Sequence, residues 1–468
     1  MNLRRIKLTF LFVSAAELVN KIIPLLLIRF GQSRLGLESL GEAQFAIYIV
    51  ELFLPIMTWG FELYGPISLR GIDKGSFEWK RRVGSIVGTR MFMGVLVYGL
   101  LLFSLYMFPK FSPYRPLATA IGAMMFLSSM STTFVHTADQ SMSVLARISI
   151  AAKFLTFIAI VLLVHRPTDG WLFAFLSYSV NLAIAMGSMI YVLKTYGWVR
   201  PRFDALAGTL KLSLPFALTY ILAMLVERIE TWFAEDWGGA TAVGMLSGPL
   251  RLYQGLLFVI ISVSGILYSE GLAYPEKVGR FLRFTVWVLA AFILPLMAGV
   301  FFIGEPLIVA ISGEGFKGQG FNLSLICTGM LGHSLLLVAG VQALNTLGKV
   351  HWTNWAYFSA LVIGTSGSAL LMTVHEPSFA LLAPALGKTM AGGALFWLAC
   401  RHTEGFKNFR LPVAGIASGL VAMLIFLWWT PELHWVLRLL GGAGVYGVVF
   451  VGLSSKELRQ ILKKENLV

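Results

Sequence analysis

The sequence predicts an all-α polytopic membrane protein of about 14 transmembrane helices, and three observations predict it. Hydrophobic residues make up 57% of 468 positions and charged residues only 13%, more apolar surface than a soluble fold of this size can bury. Apolar segments of roughly 20 residues, the length that crosses a bilayer, recur along the whole chain. The loops between them alternate between basic and non-basic.

Taken in order, the predicted spans are 7–29, 43–69, 83–108, 116–138, 144–165, 171–193, 209–234, 241–268, 283–304, 321–347, 352–374, 379–400, 411–430 and 433–453. The first is not expected to be a cleavable signal. Its start is basic (Arg4, Arg5, Lys7), but its apolar core runs on through Glu17 and Lys21 to Ile28, and no small-residue cleavage site follows. The connecting loops are short, and none is long enough to fold as a separate soluble domain.

Orientation follows from Lys and Arg. One set of loops carries Arg70, Lys74, Lys80, Arg81 and Arg82, then Arg147, the Lys194–Lys211 group, Lys277 to Arg283, Lys349, and Arg401 to Arg410; both chain ends share this character. The alternate loops are poorer in bases, roughly 7 against 24, and carry Glu235, Asp236, Glu305, Glu314 and Glu376. Both termini are therefore expected in the cytoplasm, which requires an even number of spans. Net charge is +14; most of it belongs to this bias, and no compact basic domain exists to hold a nucleic acid.

A weak internal repeat divides the chain. Gly41-Glu42-Ala43-Gln44-Phe45-Ala46-Ile47-Tyr48 leads into the second span, and Gly239-Ala240-Thr241-Ala242-Val243-Gly244-Met245-Leu246 leads into the eighth, six spans later. The expected domains are a first six-helix lobe at 1–200, a second at 201–408, and two extra helices with a basic tail at 409–468. Repeated six-helix halves are a common transporter plan.

The chemistry lies in charges that composition alone would keep out of a bilayer. Six bases are embedded: Lys21, Arg90, Lys153, Arg228, Arg251 and Lys388. Glu17, Glu51, Glu62, Glu227 and Glu230 are acids in the same segments, and Asp139 lies near a span end. Such groups face a protein interior or water rather than lipid. In a continuous seventh helix Thr219, Ala223, Glu227 and Glu230 share one face, with Arg228 about a quarter turn away. Glu17 and Lys21 are one turn apart and can pair. Arg90 and Asp139 are near span ends and can reach headgroups. Arg251 follows Pro249 and Lys388 follows Pro384, where a broken helix can line a cavity. The bases suit an anionic solute, Arg as a fork and Lys as a point charge; the acids can hold cations or titrate.

Other chemistries find no support. No Walker loop, Gly-rich nucleotide loop or metal-ligand cluster occurs, so neither ATP nor any cofactor is expected. His136, His333 and His351 are scattered, and Cys327 and Cys400 form no disulfide or zinc pattern.

Three stretches resemble the polysaccharide and O-antigen flippases (Wzx type) of the multidrug/oligosaccharidyl-lipid/polysaccharide exporter (MOP) superfamily: Leu40 to Arg70, with its early and late glycines; Glu227 to Gln254, with charges, a short outer loop and a Val-Gly-x-x-Ser helix start; and Ile303 to Gly318, with Gly-x-Gly-Phe. Relatives often carry Asp late in the seventh helix, and Glu230 stands there in this chain. The resemblance implies two six-helix lobes around a central cationic cavity. It implies an undecaprenyl-diphosphate-linked oligosaccharide as substrate, moved from the inner to the outer leaflet of the bacterial cytoplasmic membrane. Lys21, Arg90, Lys153, Arg228, Arg251 and Lys388 would then bind substrate, and Glu17, Glu51, Glu62, Glu227 and Glu230 would couple protons or sodium in an antiporter. Membrane lipid and a polysaccharide polymerase are the other expected partners. The alternatives are a peptidoglycan-precursor flippase, a cation-coupled multidrug exporter of the same superfamily, and a membrane glycan polymerase or ligase. The last would need a sizeable catalytic loop, which the chain lacks.

Overall fold

In the computed structural model the backbone is described for residues 3–374, 377–403 and 413–464, and side chains from residue 22 to 454 except at several positions within 259–273 and beside the gaps. Helix accounts for nearly all of it, and no β-strand occurs among the described residues. The chain forms two compact units, Met1–Ser247 and Gly248–Val468.

The first unit holds α1 (Leu3–Thr58), α2 (Phe61–Ser68), α3 (Phe77–Met107), α4 (Arg115–Ser128), α5 (Thr133–Ala138), α6 (Met142–Leu163), α7 (Gly170–Tyr196), α8 (Leu206–Val226) and most of α9 (Ile229–Leu256). Gly36, at φ 78°, kinks α1 into two passes, and Gly238 with Gly239 (φ 61°) does the same to α9. A left-handed φ is nearly free only for glycine, so these positions turn the chain between passes. The second unit continues with α10 (Phe258–Ala273), α11 (Val278–Ser312), α12 (Gly320–Cys327), α13 (Met330–Leu335), a π-helical run at Leu336–Asn345, α14 (Val350–Val374), α15 (Leu382–His402), α16 (Val413–Trp429) and α17 (Trp435–Lys464). Splitting the two kinked helices and joining α1 to α2, α4 to α5, α8 to early α9, late α9 to α10, and α12 through the π-helical run gives fourteen passes. The described residues contain 10 segments long and apolar enough to cross a membrane, two of them the kinked double passes, and α16 is a shorter apolar helix. The chain is a multi-pass membrane protein. Side chains such as Val95, Phe103, Leu155 and Leu162 stand exposed on these helices, as a lipid-facing surface requires.

Five predicted spans are interrupted, three of them in the first unit. The second breaks at Trp59 (φ 47°) and Gly60 (φ 65°), the fourth at residues 129–132, and the seventh at Glu227 and Arg228. The second and fourth spans correspond in the repeat to the eighth and tenth. A single sequence offset separates Gly41 from Gly239, Trp59 from Leu257, and Met130 from Thr328, and each of those last four residues lies in a helix break. The connections echo this. A 3-10 turn, Pro109–Tyr114, joins passes 3 and 4, and another, Glu314–Phe316, joins 9 and 10; Pro167–Asp169 and Pro377–Leu381 stand before α7 and α15.

Packing explains which glycines the second-span motif needs. A Cβ on Gly41 would lie 2.0 Å from the carbonyl oxygen of Ala240, and one on Gly244 would lie 2.4 Å from that of Leu37. The two repeat-motif helix starts therefore cross backbone to backbone, the close approach that small residues permit between membrane helices. In the first unit Phe61, Trp79, Val83, Phe134 and Val192 form a core beneath the α2 start. In the second, Trp287 of α11 packs with Met423, Leu427, Tyr446 and Phe450 of α16 and α17.

Candidate functional site

The embedded charges of the first unit gather at its helix breaks. A continuous helix would have put Glu227 and Glu230 on one face. Instead α8 ends at Val226, where the N–H of Glu227 still reaches the Ala223 carbonyl (3.1 Å) and that of Arg228 turns back to Leu225 (3.0 Å). The next helix restarts at Ile229, with the Trp232 N–H on the Arg228 carbonyl (3.1 Å). The break turns the Arg228 guanidinium onto Glu51 of α1, forming an ion pair. Both side chains are about four-fifths buried (21% and 17% exposed). Tyr48 and Tyr178 stand within electrostatic reach of this pair. Glu230 is buried and Glu227 half-buried beside it.

A second pair lies past the second break. Trp59 and Gly60 adopt left-handed φ, and a Cβ on Gly60 would lie 2.4 Å from the Phe216 carbonyl carbon of α8. A tryptophan in that region carries strain of order 1–3 kcal/mol, offset where its indole N–H donates to the Leu210 carbonyl (3.3 Å). The chain then restarts as α2 and presents Glu62 to Arg90 of α3 at 2.8 Å. Glu62 also accepts from the Thr133 hydroxyl at 2.6 Å, and Arg90 donates to the Ser131 carbonyl at 3.4 Å. Thr133 and Ser131 come from the third break, between α4 and α5. Three interrupted helices thus supply two polar groups, because freed backbone and hydroxyl groups need polar partners where lipid offers none.

Two expectations change here. Arg90 is only 4% exposed and Asp139 only 8%, so neither reaches for headgroups. Asp139 accepts the Tyr196 hydroxyl at 2.8 Å and the Ser141 N–H at 2.9 Å. The prolines also behave otherwise than expected. Pro249 lies within continuous α9, and Pro384 occupies the first turn of α15, where its missing N–H is not needed; the break falls at Leu257 instead.

In the second unit Lys388 is buried (3% exposed), its ammonium 5.6 Å from the centre of the Tyr253 ring. The Tyr253 hydroxyl meets His333 Nδ1 at 3.1 Å. Gly332 lets α13 approach α15 closely: a Cβ there would lie 2.3 Å from the Thr389 nitrogen and 2.4 Å from the Lys388 carbonyl carbon. Arg251, half-buried, is two residues before Tyr253 on α9. Lys153 is half-buried on α6. Glu17 and Lys21 lie on α1, and their side chains are outside the described ones. The predicted spans from 241–268 to 433–453 contain no Asp or Glu, but the helices run past those bounds, and α10 includes Glu270 and α11 includes Glu305. Reading charges alone misses Tyr253 and His333; an aromatic two residues from an embedded Arg is the available signal. No group of His, Cys, Asp and Glu that could hold a metal occurs among the described residues.

No family model and no curated protein matches the sequence. Solved structures match in fold. The lipid II flippase MurJ, in an inward closed conformation, aligns at TM-score 0.70 and 14% identity over 96% of this chain and 100% of that one. A MATE multidrug transporter of the DinF type aligns at 0.60 and 15% identity over 85% and 95%. A MOP superfamily transporter from Pyrococcus furiosus, described with a binding pocket of reversed polarity, aligns at 0.58 and 12% identity over 86% and 96%. The chain therefore has the fold of MOP superfamily transporters.

Proposed function

We propose that this protein is a flippase for a polyprenyl-diphosphate-linked oligosaccharide. It carries the substrate from the inner to the outer leaflet of a bacterial cytoplasmic membrane by alternating access, with both termini in the cytoplasm. The observation that carries this reading is the buried Lys388 with its ammonium over the Tyr253 ring and the Tyr253 hydroxyl on His333, in a chain with the fold of MOP superfamily transporters. A buried ammonium in a low-dielectric site favours an anion. A diphosphate offers two anionic centres, one for a guanidinium fork and one for an ammonium. In the first unit the bases Arg90 and Arg228 are met by Glu62 and Glu51, which removes them from the front rank of substrate ligands. Glu51, Glu62, Glu227 and Glu230 are the candidates for proton or sodium coupling.

Lipid flipping is favoured over drug export by coverage: the match to the lipid II flippase takes in 96% of the chain, against 85% for the MATE transporter. The same match favours, as second reading, a peptidoglycan-precursor substrate over an O-antigen or capsule unit. Reconstituted vesicles separate them. Protein should move a fluorescent polyprenyl-diphosphate glycan across the bilayer, and adding a peptide to the glycan should either speed transport, supporting the precursor reading, or slow it, supporting the polysaccharide reading. Absence of transport for both lipids, with a folded protein, would overturn the flippase assignment.

A further inference from the structure

Besides the embedded charges, the first unit contains a cavity of about 740 Å³ that the transport reading does not use. It lies where the kink between passes 1 and 2, the turn between passes 3 and 4, and the start of α7 converge. Ser39 holds this corner together: its hydroxyl donates to the Pro167 carbonyl at 2.8 Å, and Gly170 has no side chain because a Cβ would lie 2.4 Å from the Ser39 oxygen. Two kinds of group line the space. Glu38 and Glu42 are one helical turn apart on α1 and both exposed, and Thr168 also lines the space. Tyr114, Trp171 and Phe175 supply aromatic surface. The Tyr114 ring is held in place against buried Phe45, at 4.9 Å between centroids. Trp171 is 59% exposed. No Lys or Arg is among the lining residues.

We infer that this cavity is a saccharide-binding site, selective for neutral or amino sugars over acidic ones. Sugar rings present C–H faces that lie against aromatic rings and hydroxyl or amino donors that need acceptors. The cavity offers both, and its volume falls in the range of small-ligand sites. Its two carboxylates repel phosphate and uronate groups. Resting on the flippase reading, the site would take the glycan end of the substrate. If Trp171 served only as an anchor at the membrane interface, its removal would leave sugar binding untouched.

The test uses the full-length protein in lipid nanodiscs, titrated with chitobiose, its N-acetylated form and glucuronic acid by saturation-transfer NMR. The first two should bind saturably in the millimolar range, and glucuronic acid about tenfold more weakly or worse. Glu42→Gln should narrow that discrimination. Trp171→Ala should weaken the binding of both favoured sugars about fivefold, and Trp171→Phe should restore most of it. Both side chains are exposed, so the variants should fold, as size-exclusion profiles would verify. No saturable binding by the wild type, or equal binding in all variants, would overturn the site. Transport of a glycan-free polyprenyl diphosphate is measured alongside. If it persists while sugars fail to bind, only this site is lost; if sugars bind as expected and no lipid moves, the flippase reading fails alone.

Discussion

In the first unit the embedded guanidinium groups of Arg90 and Arg228 each meet a carboxylate from a helix distant in sequence, at places where helices break off and restart. In the second unit Lys388 is buried with its ammonium over the Tyr253 ring, and Arg251 is half-buried on α9. The two halves repeat each other in helix order and in the breaks of spans 2 and 8 and of spans 4 and 10, yet the contacts described for their bases differ, carboxylates in the first and an aromatic ring in the second. The difference teaches that counting embedded bases overstates how cationic a transport site is. A base that has a carboxylate at hydrogen-bonding distance is half of a neutral unit, and its removal is felt first in stability. A base over an aromatic ring gains cation–π attraction and is not neutralised by that contact.

The sharpest break of this comparison is charge reversal. Lys388→Glu should abolish transport, and Arg251→Ala together with Lys388→Ala should reduce it at least about a hundredfold, with protein levels near normal. Vesicle flipping assays read both. Wild-type rates in the double alanine variant would return these bases to a packing role. Next in size is the glycine crossing that opens both repeats. Gly41→Ala drives a Cβ into the Ala240 carbonyl, a backbone contact that cannot yield, and should cost more than about 3 kcal/mol or eliminate folded protein. A thermal melt in detergent indistinguishable from wild type would contradict the crossing.

Glu62 should respond differently from Lys388. Glu62→Leu strands a buried Arg90, and since the Glu62 side chain is 30% exposed the loss should be about 2 kcal/mol rather than the full figure for a buried pair. The swap Glu62→Arg with Arg90→Glu should recover part of it. No recovery together with no loss in the single variant would remove the pair from the stability account. The smallest effect belongs to the connecting loop. Arg202 Nε donates to Asp204 at 3.0 Å on an exposed surface, and the Arg202 guanidinium holds the Asp204 carboxyl below its usual range. The contribution is present above the ordinary carboxylate value of 3.8 and lost only as the pH falls through the lower folded value. Asp204→Asn should leave both the melting temperature at pH 7 and transport unchanged within error.

The fold is largely legible in the sequence, because membrane spans announce themselves through apolar length and basic loops through their alternation. The repeat seen in Gly41 and Gly239 marks helix starts that do correspond. The pairings are not legible. Arg90 and Glu62 are 28 residues apart, and only the break at Trp59 and Gly60 decides which way the chain presents Glu62. A tryptophan at positive φ has no sequence signal, whereas the Ser128-Ser129-Met130-Ser131-Thr132 run is a readable hint of the fourth-span break. Prolines mislead: Pro384 suggests a break within a helix that it in fact begins.

In the proposed mechanism the second unit receives the substrate's charge while the first unit's carboxylates serve coupling, and one experiment addresses both parts. Reconstituted wild type, Lys388→Gln, Glu51→Gln and Glu230→Gln are given a fluorescent polyprenyl-diphosphate glycan, with and without an imposed pH gradient or sodium gradient. The account predicts that Lys388→Gln raises the substrate concentration needed for half-maximal flipping while keeping gradient dependence. At least one of the two Glu variants should keep that concentration and lose gradient dependence. If Lys388→Gln binds substrate as the wild type does while both Glu variants still answer the gradient, the division of labour between the two units is contradicted.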